Sequence, residues 1–204
     1  MKKLLLGLVA VVIILVGIAF ILPAEYRVER HQEIKATPSQ IFGQLNTLEN
    51  WKQWMTWIRR DPQMKLTFSG PASGVDASMA WVSETQGSGT LTISESNADA
   101  SITYTLSFPG YPPSTGRLII TPGAGGQSVS WSDEGNLGNN PVSRYIGLFL
   151  DGMIGPDFQE GLNNLKQVCE SLPAPEVEAA EEESAMESPA DGEPAETPAE
   201  GEQQ

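Results

Sequence analysis

The sequence predicts an α+β fold: a curved, seven-stranded antiparallel sheet wrapped around a long C-terminal helix, with a transmembrane helix at the N-terminus. Three observations lead there. From Asn140 to Leu172, apolar residues recur at spacings of three and four, which marks one face of a helix. Between residues 64 and 134, six strand-like segments alternate apolar residues with Ser and Thr, and Gly- and Pro-rich turns divide them. The turns are too short for helical crossovers, so sequential strands pair antiparallel.

The first element is an uncharged run of nineteen residues, Leu4 to Leu22, preceded by Lys2-Lys3 and followed by Pro23. At ~1.5 Å per residue it spans about 28 Å, the thickness of a bilayer core. Secretory signals carry shorter apolar stretches of ~7–15 residues. Gly17-Ile18-Ala19 offers a small-x-small cleavage site, and no cysteine follows as a lipoprotein signal requires. Residues 1–23 are therefore expected to remain as a single-pass anchor. Lys2, Lys3 and the terminal amine favour a cytoplasmic N-terminus, against the weaker pull of Arg27 and Arg30. The domain then lies outside the cytoplasmic membrane, in the periplasm of a two-membrane cell.

Tyr26, Val28 and Arg30 alternate with Arg27 and Glu29 towards Ile34, a first strand leaving the anchor. Thr37-Pro38-Ser39-Gln40 places an N-cap, a first-turn proline and a capping-box glutamine in the order a helix start requires. Ile41, Phe42 and Leu45 give this short helix its buried side. Asn46 with Glu49 starts a second one through Trp51 and Trp54. The strands then follow as Met64–Ser69, Ala77–Ser83, Thr90–Ser96, Ala100–Phe108, Thr115–Thr121 and Gln127–Glu134. The final helix reads as two pieces. Val142, Tyr145, Ile146, Phe149, Leu150 and Met153 mark the first, and Phe158, Leu162, Leu165 and Val168/Cys169 the second. A kink is expected at Gly155-Pro156, with Asp157 near the new N-terminus.

The net charge of −14 is unevenly placed. Residues 173–204 hold eleven of the 26 acidic residues and none of the 12 basic ones, leaving −3 for the rest of the chain. The body therefore has no electrostatic basis for binding nucleic acid. The Pro-, Glu- and Ala-rich tail cannot bury enough surface to offset chain entropy and is expected to be disordered. The domain is bounded at residues 24–172.

The segment Asn50-Trp51-Lys52-Gln53-Trp54-Met55-Thr56-Trp57, with Asp61-Pro62, Ser69-Gly70-Pro71, Gly74 and Trp81, resembles the START-like (SRPBCC) superfamily. Its polyketide cyclase/dehydrase-type branch is the nearest likeness. Gly135-Asn136-Leu137-Gly138-Asn139-Asn140-Pro141, Arg144-Tyr145 and Gly155-Pro156-Asp157-Phe158 fit the same branch, which often carries an N-terminal membrane segment. The resemblance covers Tyr26 to Leu172. It implies the helix-grip fold, a curved sheet gripping the C-terminal helix around an apolar cavity. It does not fix an activity, since members range from lipid carriers and hydrophobic-ligand receptors to aromatase/cyclases.

The residues themselves show no catalytic constellation. His31 is the only histidine, so neither a histidine triad nor a multi-histidine metal site can form, and a solvated strand residue is the simpler reading. Cys169 is the only cysteine and falls on the apolar stripe of the last helix as a small hydrophobe. No P-loop, dinucleotide fingerprint or HExxH is present, and no cofactor or metal is implied. Asp133 and Glu134 are adjacent on a strand, point to opposite faces and read as solvated rim charges. Arg59 or Arg60 reads as half of a structural ion pair. For ligand binding the candidates are Trp54, Trp81, Tyr104 and Tyr145, with core packing as the plain alternative. Tyr104 from the sheet and Tyr145 from the helix would supply polar groups to an otherwise apolar pocket.

The expected function is a membrane-tethered domain that binds a hydrophobic small molecule or lipid. The alternatives are a cyclase/dehydratase acting by positioning and acid–base help, and an envelope interaction module whose acidic tail recruits a partner.

Overall fold

With no proline or charge to interrupt it, the apolar run that begins at Leu4 forms the body of α1 (Lys2–Ile21), long and apolar enough to cross a membrane. The structure, a computed structural model, describes residues 1–173, so the acidic tail and the disorder expected of it lie outside the described residues. Strand β1 (Glu25–Ile34) follows after three residues. Helix α2 (Pro38–Asn46) starts with the expected capping box. The Thr37 hydroxyl accepts from the Gln40 N–H at 3.3 Å, and the Gln40 side chain accepts from the Thr37 N–H at 3.0 Å.

Where the sequence predicts one helix through Trp51 and Trp54, the chain makes a 3₁₀ turn (Leu48–Asn50), α3 (Trp51–Trp54) and α4 (Thr56–Arg60). The extended backbone of Met55, ψ 120°, separates α3 from α4. This corner lets Trp51 and Trp54 enter the core while Trp57 turns towards the C-terminal helix.

Strands β2 (Lys65–Ser69), β3 (Ser78–Ser83), β4 (Gly87–Asn97), β5 (Ser101–Ser107), β6 (Ser114–Gly123) and β7 (Gly126–Asn136) form an antiparallel meander. The order β1-β7-β6-β5-β4-β3-β2 returns β1 to the edge beside β7, so the seven-stranded antiparallel sheet stands as expected. Val28, Ile93, Ile102, Tyr104, Leu118, Val129 and Trp131 form the buried face. At three places an aromatic ring lies over a glycine directly across the ladder: Tyr26 over Gly135, Trp81 over Gly89 and Tyr104 over Gly116. A Cβ on Gly135 would fall 2.8 Å from the Tyr26 ring, so the missing side chain is the space the ring occupies.

The C-terminal helix is broken, but not where the sequence places the break. Helix α5 (Pro141–Gly147) ends at Leu148-Phe149, and α6 (Leu150–Glu170) runs through Pro156. The turn is tightened by three-residue hydrogen bonds, Leu148 N–H to Tyr145 O and Phe149 N–H to Ile146 O. Pro156 cannot donate to the carbonyl of Gly152, yet both residues are exposed, so water can satisfy the freed oxygen. Asp157 consequently sits inside α6 rather than at a helix start. Gly155 serves close approach: the Arg30 guanidinium lies where its Cβ would be, on its way to Asp151 at 2.8 and 3.0 Å.

Helix α6 is pinned to the sheet by Phe158, Leu162, Leu165 and Cys169. The Phe158 and Trp131 rings stack at 4.2 Å and 3°. A Cβ at Gly161 would come within 2.7 Å of the Trp131 ring, which Phe158, Trp54 and Trp57 hold in place. Gly161→Ala is therefore expected to destabilise the fold by about 1–3 kcal/mol through overpacking. Gly152→Ala, with open space around the added methyl, should stabilise it by about 0.5–1 kcal/mol. Urea unfolding of the two variants checks the contrast.

Candidate functional site

Between the concave face and the helices the packing is incomplete at the end of the sheet that carries the start of β1. Two adjoining chambers result, of about 180 Å³ and 330 Å³, sharing the residues Trp57, Leu106, Phe108 and Ile154. Of the shared lining, Trp57 is held in place from α6. Trp57 donates its indole N–H to Asp157 at 2.8 Å, and Arg60 holds the same carboxylate at 2.6 Å. The ion pair expected of Arg59 or Arg60 thus falls to Arg60.

The smaller chamber is lined almost wholly by apolar side chains, among them Met55, Met64, Met79, Leu66, Leu91 and Trp81. Unbranched thioethers adapt to the shape of a guest more readily than branched side chains do. The larger chamber has Phe158 and Leu150 on the helix side and Tyr111, Pro112, Pro113, Leu137 and Ile146 around its rim. Its polar groups include Tyr26, Ser114 and Asp133.

Asp133 is 2% exposed, which overturns its reading as a rim charge. The reason is the period of the strand: Val129 and Trp131 face inward, so Asp133 does too, while Glu134 faces outward to Arg27 at 2.8 Å. Tyr26 donates its hydroxyl to Asp133 Oδ1 at 2.8 Å, and Ser114 donates to Oδ2 at 3.0 Å. Burial pushes the Asp133 carboxyl up to about 6, against these two stabilising hydrogen bonds, and the Glu134 charge adds to the rise. Burial and the Asp133 charge raise the Tyr26 phenol well above its ordinary value, so it remains a donor. The arrangement offers a guest one carboxyl able to accept a hydrogen bond, or exchange a proton near neutral pH, inside an apolar chamber.

The four aromatic candidates are dispersed. Trp81 lines the smaller chamber, edge-on to Phe108 at 5.6 Å. Trp54 is fully buried beneath the site, 4.8 Å from Trp51 and 5.5 Å from Trp131, and donates to Gln44 O at 3.4 Å. Tyr104 belongs to the same packed cluster, its hydroxyl accepting from the Trp131 indole at 2.8 Å. Tyr145 points away from both chambers and donates to Leu15 O of α1 at 2.8 Å. The groups that line the larger chamber's polar wall, Tyr26 and Ser114, were not among the candidates. Extending the inward positions Val28 and Trp131 by one step would have found Tyr26 and Asp133.

His31 is an exposed residue of β1, with its ring 3.6 Å from Glu29. Cys169 is buried and its thiol is pushed up to about 12 by burial and then by Glu170, so it is an inert packing residue.

Residues 25–170 match the model of a family described as polyketide cyclase/dehydrase and lipid transport. No curated protein matches the chain significantly. Among solved structures, a protein of unknown function from Staphylococcus aureus is similar at TM-score 0.56 and 11% identity, covering 72% of this chain and 94% of that one. A protein from Chromobacterium violaceum gives TM-score 0.51 and 16% identity, covering 72% and 99%. The di-domain ARO/CYC StfQ of the steffimycin biosynthetic pathway gives TM-score 0.54 and 13% identity, covering 77% of this chain and 52% of StfQ. At these identities the likeness is one of fold, and it is the helix-grip fold.

The raised Asp133 carboxyl has a measurable signature. Its folded value lies above the ordinary 3.8, so the native state binds more protons between pH 4 and 6. Its contribution to stability is full below that window and lost above it, a change of about 2–3 kcal/mol. Asp133→Asn should remove this loss. In urea unfolding across pH 4 to 7.5, the wild type is expected to fall relative to the variant by that amount.

Proposed function

The chain belongs to the polyketide cyclase/dehydrase and lipid transport family, and we propose that it is a membrane-tethered binding domain for a hydrophobic small molecule or lipid. The observation that carries this reading is the two-chambered apolar cavity with a single buried carboxyl in its larger part. Small-molecule sites have this composition: mostly apolar walls, a few polar groups that orient the guest, and volumes from about 300 Å³ upward. Asp133 calls for a hydrogen-bond donor, a hydroxyl or an amine, on a guest that is otherwise apolar. Trp81, Met55 and Met79 would hold its apolar end in the smaller chamber. The anchor reading rests on α1, and Lys2 and Lys3 support a cytoplasmic N-terminus with the domain on the other side.

A second reading, an acid–base enzyme, draws on one specific observation. A carboxyl held near 6 beside a phenol, in a place sheltered from water, is a competent proton donor and acceptor. A cyclase or dehydratase needs such a group at a carbonyl-activated carbon or a departing hydroxyl. The two readings separate at Asp133. If the domain only binds, Asp133→Asn changes which molecules are retained. If it also turns substrate over, the variant retains substrate and loses the reaction.

Native mass spectrometry and lipid extraction of the purified full chain are expected to show a retained apolar molecule carrying a donor group. A chain that comes out empty under gentle solubilisation would sink the proposal. Ile154→Trp directs a ring into both chambers from α6 and should reduce the retained molecule by about tenfold or more. Because the ring enters open volume, the thermal midpoint should move by only a few degrees.

A further inference from the structure

The cavity opens at one particular end of the sheet. The register sets Tyr26 opposite Gly135, Ser114 opposite Leu106, Thr90 opposite Ser107, and Lys65 opposite Val82. Tyr26, Leu106, Ser114 and Gly135 at that end all line the larger chamber. It is also the end at which α1 arrives. Only Leu22, Pro23 and Ala24 separate α1 from β1, and the Ala24 carbonyl is held by the Leu137 N–H at 2.7 Å.

Helix α5 is fastened to the same place. The Arg144 guanidinium donates to the carbonyls of Ala19, Phe20 and Leu22 at 3.4, 3.2 and 3.2 Å. These are the last carbonyls of α1, where a helix lacks internal partners and favours a positive charge. Tyr145 reaches Leu15 O, deeper along the helix. From Leu15 to Leu22 the chain rises by seven residue steps, about 10 Å of helix. So α5 lies alongside the last two turns of a segment that is apolar on every side.

Val142 and Ile146 of α5, Phe149 at the corner and Met153 of α6 form a run of large apolar residues that are 64%, 47%, 64% and 62% exposed. The two charged residues within it are engaged elsewhere, Arg144 with the α1 carbonyls and Asp151 with Arg30. Large apolar side chains left bare in this number, beside α1, share its solvent.

We infer that this run is immersed at the headgroup–acyl boundary of the bilayer that α1 enters, so that the rim of the larger chamber opens onto lipid. A helix lying in that boundary sits about 5–10 Å deep, matching the length of α1 that α5 accompanies. Ile146 belongs to both the run and the chamber lining, and Tyr111 stands on the rim and is exposed. A guest then passes between membrane and cavity without crossing water. The inference rests on the reading of α1 as an anchor.

The test uses the full chain with Cys169→Ala, and single cysteines introduced by Phe149→Cys, Met153→Cys and Tyr111→Cys. Val75→Cys, exposed at the opposite end of the sheet, is the control. Each is labelled with an environment-sensitive fluorophore and reconstituted in phosphatidylcholine vesicles with and without nitroxide-bearing phosphatidylcholine. Blue-shifted emission lost to the nitroxide at 149, 153 and 111, with none lost at 75, is the expected result. Water-like emission at 149 and 153 overturns the inference. So does a blue shift that grows with protein density and resists the nitroxide, which marks a seat for a second copy. Quenching at 149 and 153 with position 111 in water overturns the opening onto lipid. The readout needs no guest, so an empty cavity sinks the binding proposal alone. A mature chain whose mass lacks α1 removes the anchor on which both rest.

Discussion

The stack of Trp131 on Phe158 is the contact on which the rest of this domain depends. Two aromatic planes at 4.2 Å, with Gly161 admitting the ring edge, set how closely α6 approaches the sheet. Beyond Phe158 the helix is committed to the core through Leu162, Leu165 and Cys169. Before it, Leu150 and Ile154 meet open volume instead. One helix is thus core over its last three turns and roof over its first two. The indole N–H of Trp131 is spent on Tyr104 and that of Trp57 on Asp157, so both polar edges are satisfied and the apolar faces are left for contact.

Against this packing, Asp133 is an anomaly with a physical cost. A carboxylate at the edge of an apolar chamber gives up solvation that two hydrogen bonds return only in part. A hydrophobic residue of similar volume would stabilise the strand more at neutral pH. Groups of this kind concentrate where a protein handles a ligand or a proton. That is the physical ground for placing the orienting end of the site at Asp133 rather than at the aromatic residues around it.

Much of the fold was legible because its signals are local. The Thr37–Gln40 capping box, the turn residues between strands and the alternation of Ile102, Tyr104 and Leu106 each report on a neighbourhood of a few residues. The site was less legible because it depends on which surfaces meet. Trp54 and Trp81 look alike in sequence, yet one lies under the stack and the other borders a void. Periodicity shows that the helix bearing Tyr145 has an apolar face but not what each residue of it meets, and Tyr145 meets α1. That Asp133 and Glu134 point to opposite faces is plain in the sequence, but which of the two faces is buried depends on what packs against the strand. Pro156 signals a break in the sequence, while the exposure of Gly152 lets the helix pass through it.

The cross-strand pairs of ring and glycine have a consequence for how this domain can change. At 26/135, 81/89 and 104/116, the volume of one residue is borrowed from its opposite number. A bulkier residue at any of the three glycines can be accommodated only if the facing aromatic shrinks, and the reverse substitution leaves a hole. Each pair is therefore a single unit of inheritance. Among relatives as divergent as those matched here, paired exchange at these positions would trace the ladder register more durably than identity at either one.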